Sequence, residues 1–213
     1  MEPTDCPVSW GRSAWEFLHG VTLDPLAPPA AKQAQKRMAH ALRYVLPCPS
    51  CRQSYRRFSR HLEQVPAEKM GDFFVDIHDC VNLKLKKPAA KMPAYTWTTI
   101  KLKELSEAGF SSYVEDMFFF LFTLAANYPR AFTPDTQAEK YYRRFFQVLP
   151  ETMRHRPWGE TMREYLRENP LSERGPLTGR DQLMQWVHGM YTRVVPDPKP
   201  LGVIRDTMEQ MRK

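Results

Sequence analysis

The stretch YVLPCPSCRQSYRRFSRHL, Tyr44 to Leu62, contains one helix ending, a proline-punctuated turn and a second helix beginning. Tyr55, Phe58 and Leu62 recur at three- and four-residue intervals, the spacing of one helix face. Pro47 stands just ahead of Cys48 and Cys51 and suits a first-turn position, so the spacing places the Cys-x-x-Cys pair at a helix N-terminus. Two cysteines so placed can exchange a disulfide, supply half a zinc site, or simply pack. Zinc would need two further ligands, from among His61, His78 or Cys80, and no second Cys-x-x-Cys or His-x-x-x-His supplies them at familiar spacing. At a helix N-terminus the macrodipole and free N–H groups lower a thiol pKa, and Arg52 adds positive charge nearby. A pair of this kind cycles between dithiol and disulfide and needs an electron acceptor, for which a flavin would serve.

Outward from this stretch the helical pattern persists. AKQAQKRMAHALRYVL sets Met38, Leu42 and Val45 on one face. SAWEFLHGV carries Trp15, Leu18 and His19 at helical spacing, with Ser13 read as its N-cap. MGDFFVDIHDCVNLKLKK places Phe74, Ile77, Val81 and Leu85 about four apart, and KPAAKMPAY reads as a loop. From Phe110 to Lys213 helices again alternate with Pro and Gly. No alternating strand pattern and no glycine-rich phosphate loop is visible, so the fold class is all-α.

The 213 residues are enough for one large domain or two small ones without a disulfide scaffold. The longest apolar run, MFFFLFTLAANY from Met117, is too short for a membrane span and reads as a buried helix. The N-terminal MEPTDCPVSW has no basic and apolar signal pattern, and the expectation is a chain used on the cytosolic side of membranes. The net charge of +7 favours anionic partners, but the basic residues read as scattered, a solvated face rather than a specific nucleic-acid site.

The two halves also resemble each other. Shifting by 103 residues maps Pro47 onto Pro150, Trp15 onto Phe118, Phe17 onto Phe120 and Leu18 onto Leu121. After a seven-residue insertion, FVDIHDCVN meets MQWVHGMYT and pairs His78 with His188. In the second copy Cys48 and Cys51 become Glu151 and Arg154, and His19 becomes Phe122. The expectation is a chemistry-bearing domain over 1–105 and a degenerate, cysteine-free helical domain over 106–213. His188, Trp186 and Trp158 then read as the core of the second.

Trp15 and His19 leave one helix face, as do His78 and Asn82. Aromatic and polar groups on inward faces can line a slot for a flat, hydrogen-bonding ring system. The three blocks GRSAWEFLH, PCPSC and HDCVNLKLKKP, in this order, resemble the signature of the Erv/ALR family of FAD-linked sulfhydryl oxidases, over about residues 10 to 100. The resemblance implies a four-helix bundle with a short fifth helix, holding FAD non-covalently. It implies that Cys48 is attacked by substrate thiols and that Cys51 lies against the flavin. It assigns Arg12, Trp15, His19, His78, Asn82, Lys84, Lys87 and Trp97 to cofactor contacts. Protein thiols would become disulfides and molecular oxygen hydrogen peroxide. No metal is implied.

The chain departs from the family pattern in three places. Asp79 stands where the family has Asn. The disulfide that flanks the third block is missing, its positions falling at Val75 and roughly Lys91. No shuttle pair is present, since only Cys6 and Cys80 remain. Cys80 reads as a small buried filler. Low cysteine content is similar to viral members, which implies work on virion proteins in the host cytoplasm or the virion. Family members are homodimers, so either a homodimer or a pseudo-dimer of the two halves within one chain is implied.

Overall fold

The apolar periodicity becomes a set of helix faces turned inward. The computed structural model describes residues 10–87, 110–129, 137–171 and 175–211. Among the described residues there are nine α-helices and no strand: α1 (Trp10–Thr22), α2 (Pro29–Val45), α3 (Pro49–Phe58), α4 (Met70–Lys84), α5 (Phe110–Ala126), α6 (Gln137–Thr152), α7 (Pro157–Glu168), α8 (Arg180–Val194) and α9 (Leu201–Gln210). The all-α class is therefore as the sequence indicates. The short fifth helix and the boundary at 105/106 fall outside the described residues.

Met38, Leu42 and Val45 on α2 are fully buried, as are Phe74 and Ile77 on α4. Phe118, Phe120 and Phe122 of the apolar run on α5 are also buried, so that run is core. No described helix is long and apolar enough to cross a membrane. Each such side chain contributes about 1.5–3 kcal/mol by leaving water.

Three local readings change. Ser13 is inside α1 rather than its N-cap, and its hydroxyl donates to Asp116 Oδ1 at 2.6 Å. Leu85 does not continue the buried face, because α4 ends at Lys84 and Leu85 is exposed. The first residue of α3 is Pro49, not Pro47, and Cys48 is the N-cap.

The order and packing of α1–α4 recur in α5–α8. Helices α4 and α8 are both 15 residues long and are displaced by the offset that pairs His78 with His188. α1 packs on α4 as α5 packs on α8, α2 on α3 as α6 on α7, and α3 on α4 as α7 on α8. The broadest packings in the molecule run between counterparts, α2 against α6 and α1 against α5. Residues that the 103-residue shift equates touch each other there. Ser13 bonds Asp116, and the rings of Phe17 and Phe120 lie 5.9 Å apart. Such self-pairing is the mark of an isologous contact. Trp10 stacks on Phe120 at 5.9 Å, Tyr44 on Tyr141 at 3.6 Å, and the Tyr142 hydroxyl lies 3.2 Å from the Val45 carbonyl and 3.0 Å from the Leu124 carbonyl. One hydrophobic core spans both halves.

A buried ionic cluster fastens the halves at a second place. Asp24, between α1 and α2, accepts from His155 at 2.7 Å and from Arg156 at 2.8 Å and 3.0 Å; both partners lie between α6 and α7. Burial pushes the Asp24 carboxyl up, but hydrogen bonds from His155, the Leu26 N–H and Arg156 outweigh it and hold the pKa below the usual range.

Candidate functional site

Cys48 and Cys51 are joined as a disulfide at the start of α3. Pro47 and Pro49 flank Cys48; α2 stops at Val45, and Pro49, with no N–H to satisfy, opens α3. The Cys51 N–H donates to Cys48 Sγ at 3.0 Å, so the helix N-terminus is directed at the Cys48 sulfur. Backbone donors at that position stabilise a thiolate on reduction. The Arg52 guanidinium donates to the carbonyls of Leu46 at 2.6 Å and Pro47 at 3.4 Å, which holds its charge beside the same turn. Cys48 is 3% exposed and Cys51 is half-buried.

The second half shows what this turn requires. Its α6 continues through Pro150, the counterpart of Pro47, to Thr152, so no helix N-terminus forms at the equivalent place. Glu151 and Arg154, the counterparts of the cysteines, instead form an ion pair at 3.8 Å.

α1 and α4 bring the aromatic residues together. The rings of Trp15 and His78 are nearly parallel, with centroids 4.1 Å apart, and Trp15 and His19 stack at 5.5 Å. His19 Nε2 and His78 Nδ1 lie 2.9 Å apart, one ring donating and the other accepting. Burial, followed by the charge of His78, pushes His19 down to about 4. Burial also lowers His78, with Asp79 opposing and Lys87 assisting. Burial thus favours the neutral form of both rings, and the bond between them needs a neutral ring on its accepting side.

Asn82 lies one turn beyond His78 on α4 and is half-buried. Arg12, Lys84 and Lys87 are exposed, and Lys84 Nζ donates to Ser54 Oγ at 2.7 Å, tying α4 to α3 one turn past Cys51. Asp79 is half-buried beside the histidines. Cys80 is exposed, so it is not the buried filler the sequence suggests. Trp97 and Cys6 lie outside the described residues. α4 closes with the Lys87 N–H on the Asn82 carbonyl and Lys86 at φ 54°, a left-handed helix cap that usually selects glycine.

The chemistry of this donor set fits a planar heteroaromatic ligand with an anionic tail. Trp15 and the neutral histidines offer stacking and hydrogen bonds, and Arg12, Lys84 and Lys87 supply cations at the exposed edge. Among the described residues no three His, Cys, Asp or Glu side chains converge so as to hold a metal ion. In the second half Phe122 and His188, the counterparts of His19 and His78, lie 6.4 Å apart. There the His188 ring is bonded to the Lys199 carbonyl at 3.0 Å, and Tyr191 edges against Phe118 and Phe122. Trp186 is buried in that half's core, while Trp158 and His188 are half-buried. The Asp24 cluster was not visible in the sequence, since its members are 131 and 132 residues apart and carry no local pattern.

Comparison with known proteins gives concordant results. Residues 12–103 match the family described as Erv1/Alr. The chain is 32% identical over 82 residues to a mitochondrial FAD-linked sulfhydryl oxidase of Saccharomyces cerevisiae, covering 37% of this chain and 43% of that protein. It is 32% identical over 97 residues to a protein of Acanthamoeba polyphaga mimivirus named "Probable FAD-linked sulfhydryl oxidase", covering 41% of this chain and 66% of that protein. The chain thus spans less than two thirds of either relative. No solved structure matches.

Proposed function

We propose, from the match of residues 12–103 to the Erv1/Alr family, that this chain is an FAD-dependent thiol oxidase that forms disulfide bonds in protein substrates. The observation that carries the reading is the Cys48–Cys51 disulfide at a helix N-terminus, on a helix packed against the one that bears His78 and Asn82. In the reaction two substrate thiols lose two electrons and two protons and form one disulfide. A substrate thiolate attacks one sulfur of the Cys48–Cys51 bond and the other leaves as a thiolate. A second substrate thiolate then attacks the mixed disulfide and leaves both cysteines reduced. The Cys51 N–H and the Arg52 charge stabilise the thiolate form of Cys48. When bound, FAD supplies a two-electron acceptor that dioxygen reoxidises, with hydrogen peroxide as product. Trp15, His19, His78 and Asn82 would hold its ring systems, and Arg12, Lys84, Lys87 and Trp97 would complete the binding. The cystine bond favours this reading over a zinc-binding scaffold, because it leaves no free thiolate at either cysteine.

The order of attack admits two readings. The family resemblance gives Cys48 to the substrate and Cys51 to the flavin. The greater openness of Cys51 and the amide on Cys48 Sγ favour the reverse. Oxygen consumption with dithiothreitol tests the whole reading. Cys48→Ala and Cys51→Ala should each abolish turnover while FAD absorbance survives desalting. Normal oxygen uptake by either variant would remove that cysteine from the reaction. Trapping a thiol peptide as a stable mixed disulfide on one variant only would assign the attacked sulfur.

We further propose that residues 106–213 are a degenerate copy, and that the chain is a pseudo-dimer of its own halves. The contacts of α1 with α5 and α2 with α6 support this. The mimivirus relative supports a viral setting, with virion proteins as substrates in the host cytoplasm or the virion. Sedimentation of the flavin-loaded chain as a monomer is the expected result, and a stable homodimer would count against the pseudo-dimer.

A further inference from the structure

The positive charge of the chain is not evenly distributed. Residues 25–62 hold eight Lys and Arg and no Asp or Glu, out of 31 and 24 in the whole chain. The segment is thus at +8, and all other residues together are at −1. It runs through α3, the helix that the disulfide opens, and on through the turn that follows. Arg52 and Arg56 stand one turn apart on α3 with Arg57 beside Arg56, and Arg60 lies in the turn two residues past the helix end. Arg56, Arg57 and Arg60 are exposed, and Arg57 lies only about 9 Å along the axis from Cys51 at helical rise.

These charges are held in place without being neutralised. Arg52 donates to backbone carbonyls, Arg56 Nε donates to the Arg43 carbonyl at 2.9 Å, and Arg57 lies over the Phe58 ring at 4.9 Å. None of Arg52, Arg56, Arg57 and Arg60 has an ion pair with a carboxylate among the described residues. The carboxylate nearest in sequence, Glu63, is already shared by His40 at 3.5 Å and Arg43 at 4.0 Å. The counterpart helix in the second half provides an internal control. α7 carries Glu160, Glu164 and Glu168 among its arginines. Arg163 pairs with Glu160 and Glu151, and Arg193 with Glu168 at 3.0 Å. Where the cysteines are absent, the helix is acidic and ion-paired. Where the disulfide is present, it is cationic and has no carboxylate partner among the described residues.

We infer that the outer face of α3, with the turn that follows it, is a substrate-docking surface selective for thiols that lie next to acidic residues. The inference rests on the thiol-oxidase reading and names its substrate class. Unpaired cations within about a Debye length of the reacting sulfur raise the local concentration of an acidic substrate, and this advantage is screened by salt. A free-standing basic face would also attract nucleic acid, but its position at the mouth of the disulfide favours a thiol-bearing polypeptide.

The test uses the full flavin-loaded chain and two dithiol peptides with the same Cys-Gly-Gly-Cys centre, one flanked by glutamates and one by lysines. At low salt kcat/KM should favour the acidic peptide by about 10- to 100-fold, falling towards equality near 0.5 M salt. Arg57→Glu/Arg60→Glu should abolish or invert the preference, and Arg57→Gln/Arg60→Gln should reduce it. Dithiothreitol turnover should be unchanged in both variants, which also verifies folding. Equal rates for the two peptides with normal dithiothreitol turnover would overturn the inference alone. So would a preference that survives charge reversal, or a single-stranded oligonucleotide that binds this face while the peptides show no preference. Absence of dithiothreitol turnover in the unaltered protein would overturn the oxidase reading, and the inference with it.

Discussion

Asp24→Asn tests whether the two halves stand or fall together. The Asp24 side chain is 7% exposed, and its partners His155 and Arg156 are 13% and 25% exposed. Asparagine is nearly isosteric and keeps the Oδ1 acceptor for the Leu26 N–H, now at 3.0 Å, so the loop between α1 and α2 retains its turn. What is lost is the negative charge facing two basic groups. Removing one member of a fully buried ion pair costs about 3–5 kcal/mol, and the partial exposure of Arg156 reduces this to about 2–3 kcal/mol. For a chain of this length that is a fall in Tm of about 5–10 °C.

The pH dependence separates charge from packing. A carboxyl with a lowered folded pKa contributes stability above its unfolded pKa of about 3.9 and loses it as pH falls through the folded value. The variant should therefore melt well below the parent at pH 7, and the gap should shrink steadily below pH 4. Scanning calorimetry at pH 7, 5, 4 and 3 measures it, and a single transition should shift as a whole, because the cluster joins 10–87 to 137–171. A Tm unchanged at pH 7, or a gap of the same size at pH 3, would refute the ionic account. A shift of only one of two resolved transitions would refute the joint core.

Other outcomes follow from single positions. His19 has a folded pKa pushed down to about 4, so the unfolded chain binds its proton first; its contribution is full above pH 6.5 and is lost as pH falls towards 4, worth about 2–3 kcal/mol. His19→Phe, the residue at the counterpart Phe122, should flatten the stability profile between pH 6.5 and 4 in urea titrations, and an unchanged slope would show that other groups set it. Lys86→Gly should raise Tm by about 1–3 °C, since Lys86 holds φ 54° at the end of α4, and a fall would mean that its side chain contributes more than the strain costs. Gly159→Ala would drive a Cβ into the Met153 carbonyl, and a loss of about 3 kcal/mol is expected by denaturant melting; a loss below about 1 kcal/mol would show that the turn before α7 yields easily.

The parts of the fold that were legible are those set by neighbours in sequence. Met38, Leu42 and Val45 repeat at helical spacing and are buried on α2. The prolines around Cys48 restrict the backbone and place the pair at a helix start, although the residue that opens α3 is Pro49. Ser13 illustrates the limit. Serine just ahead of an apolar run is a reasonable N-cap, but Asp116, 103 residues away, takes its hydroxyl and the helix extends to Trp10. Leu85 fails for a local reason that periodicity does not carry, the left-handed cap at Lys86. The 103-residue shift aligned Phe17 with Phe120. That the aligned rings would touch was not legible, because a similarity between two segments says nothing of how they meet in space.

The charge pattern is a different case, since it was wholly present in the sequence and still missed. Averaged over 213 residues, a net charge of +7 looks like a scattered basic surface. Its meaning depends on which cations share a helix face, which have carboxylate partners and what lies at the end of that helix. α3 and the turn after it answer all three, because the cystine fixes the helix N-terminus, Arg52 is anchored to the preceding turn, and Arg56, Arg57 and Arg60 face solvent without acidic partners among the described residues. α7 shows the contrast, since its Arg163 is paired with Glu160 and Glu151 and its Glu168 with Arg193 of α8. An uncompensated cationic helix costs folding energy through self-repulsion. In the half that carries the disulfide, that cost is the physical reason to look for an anionic partner at this face.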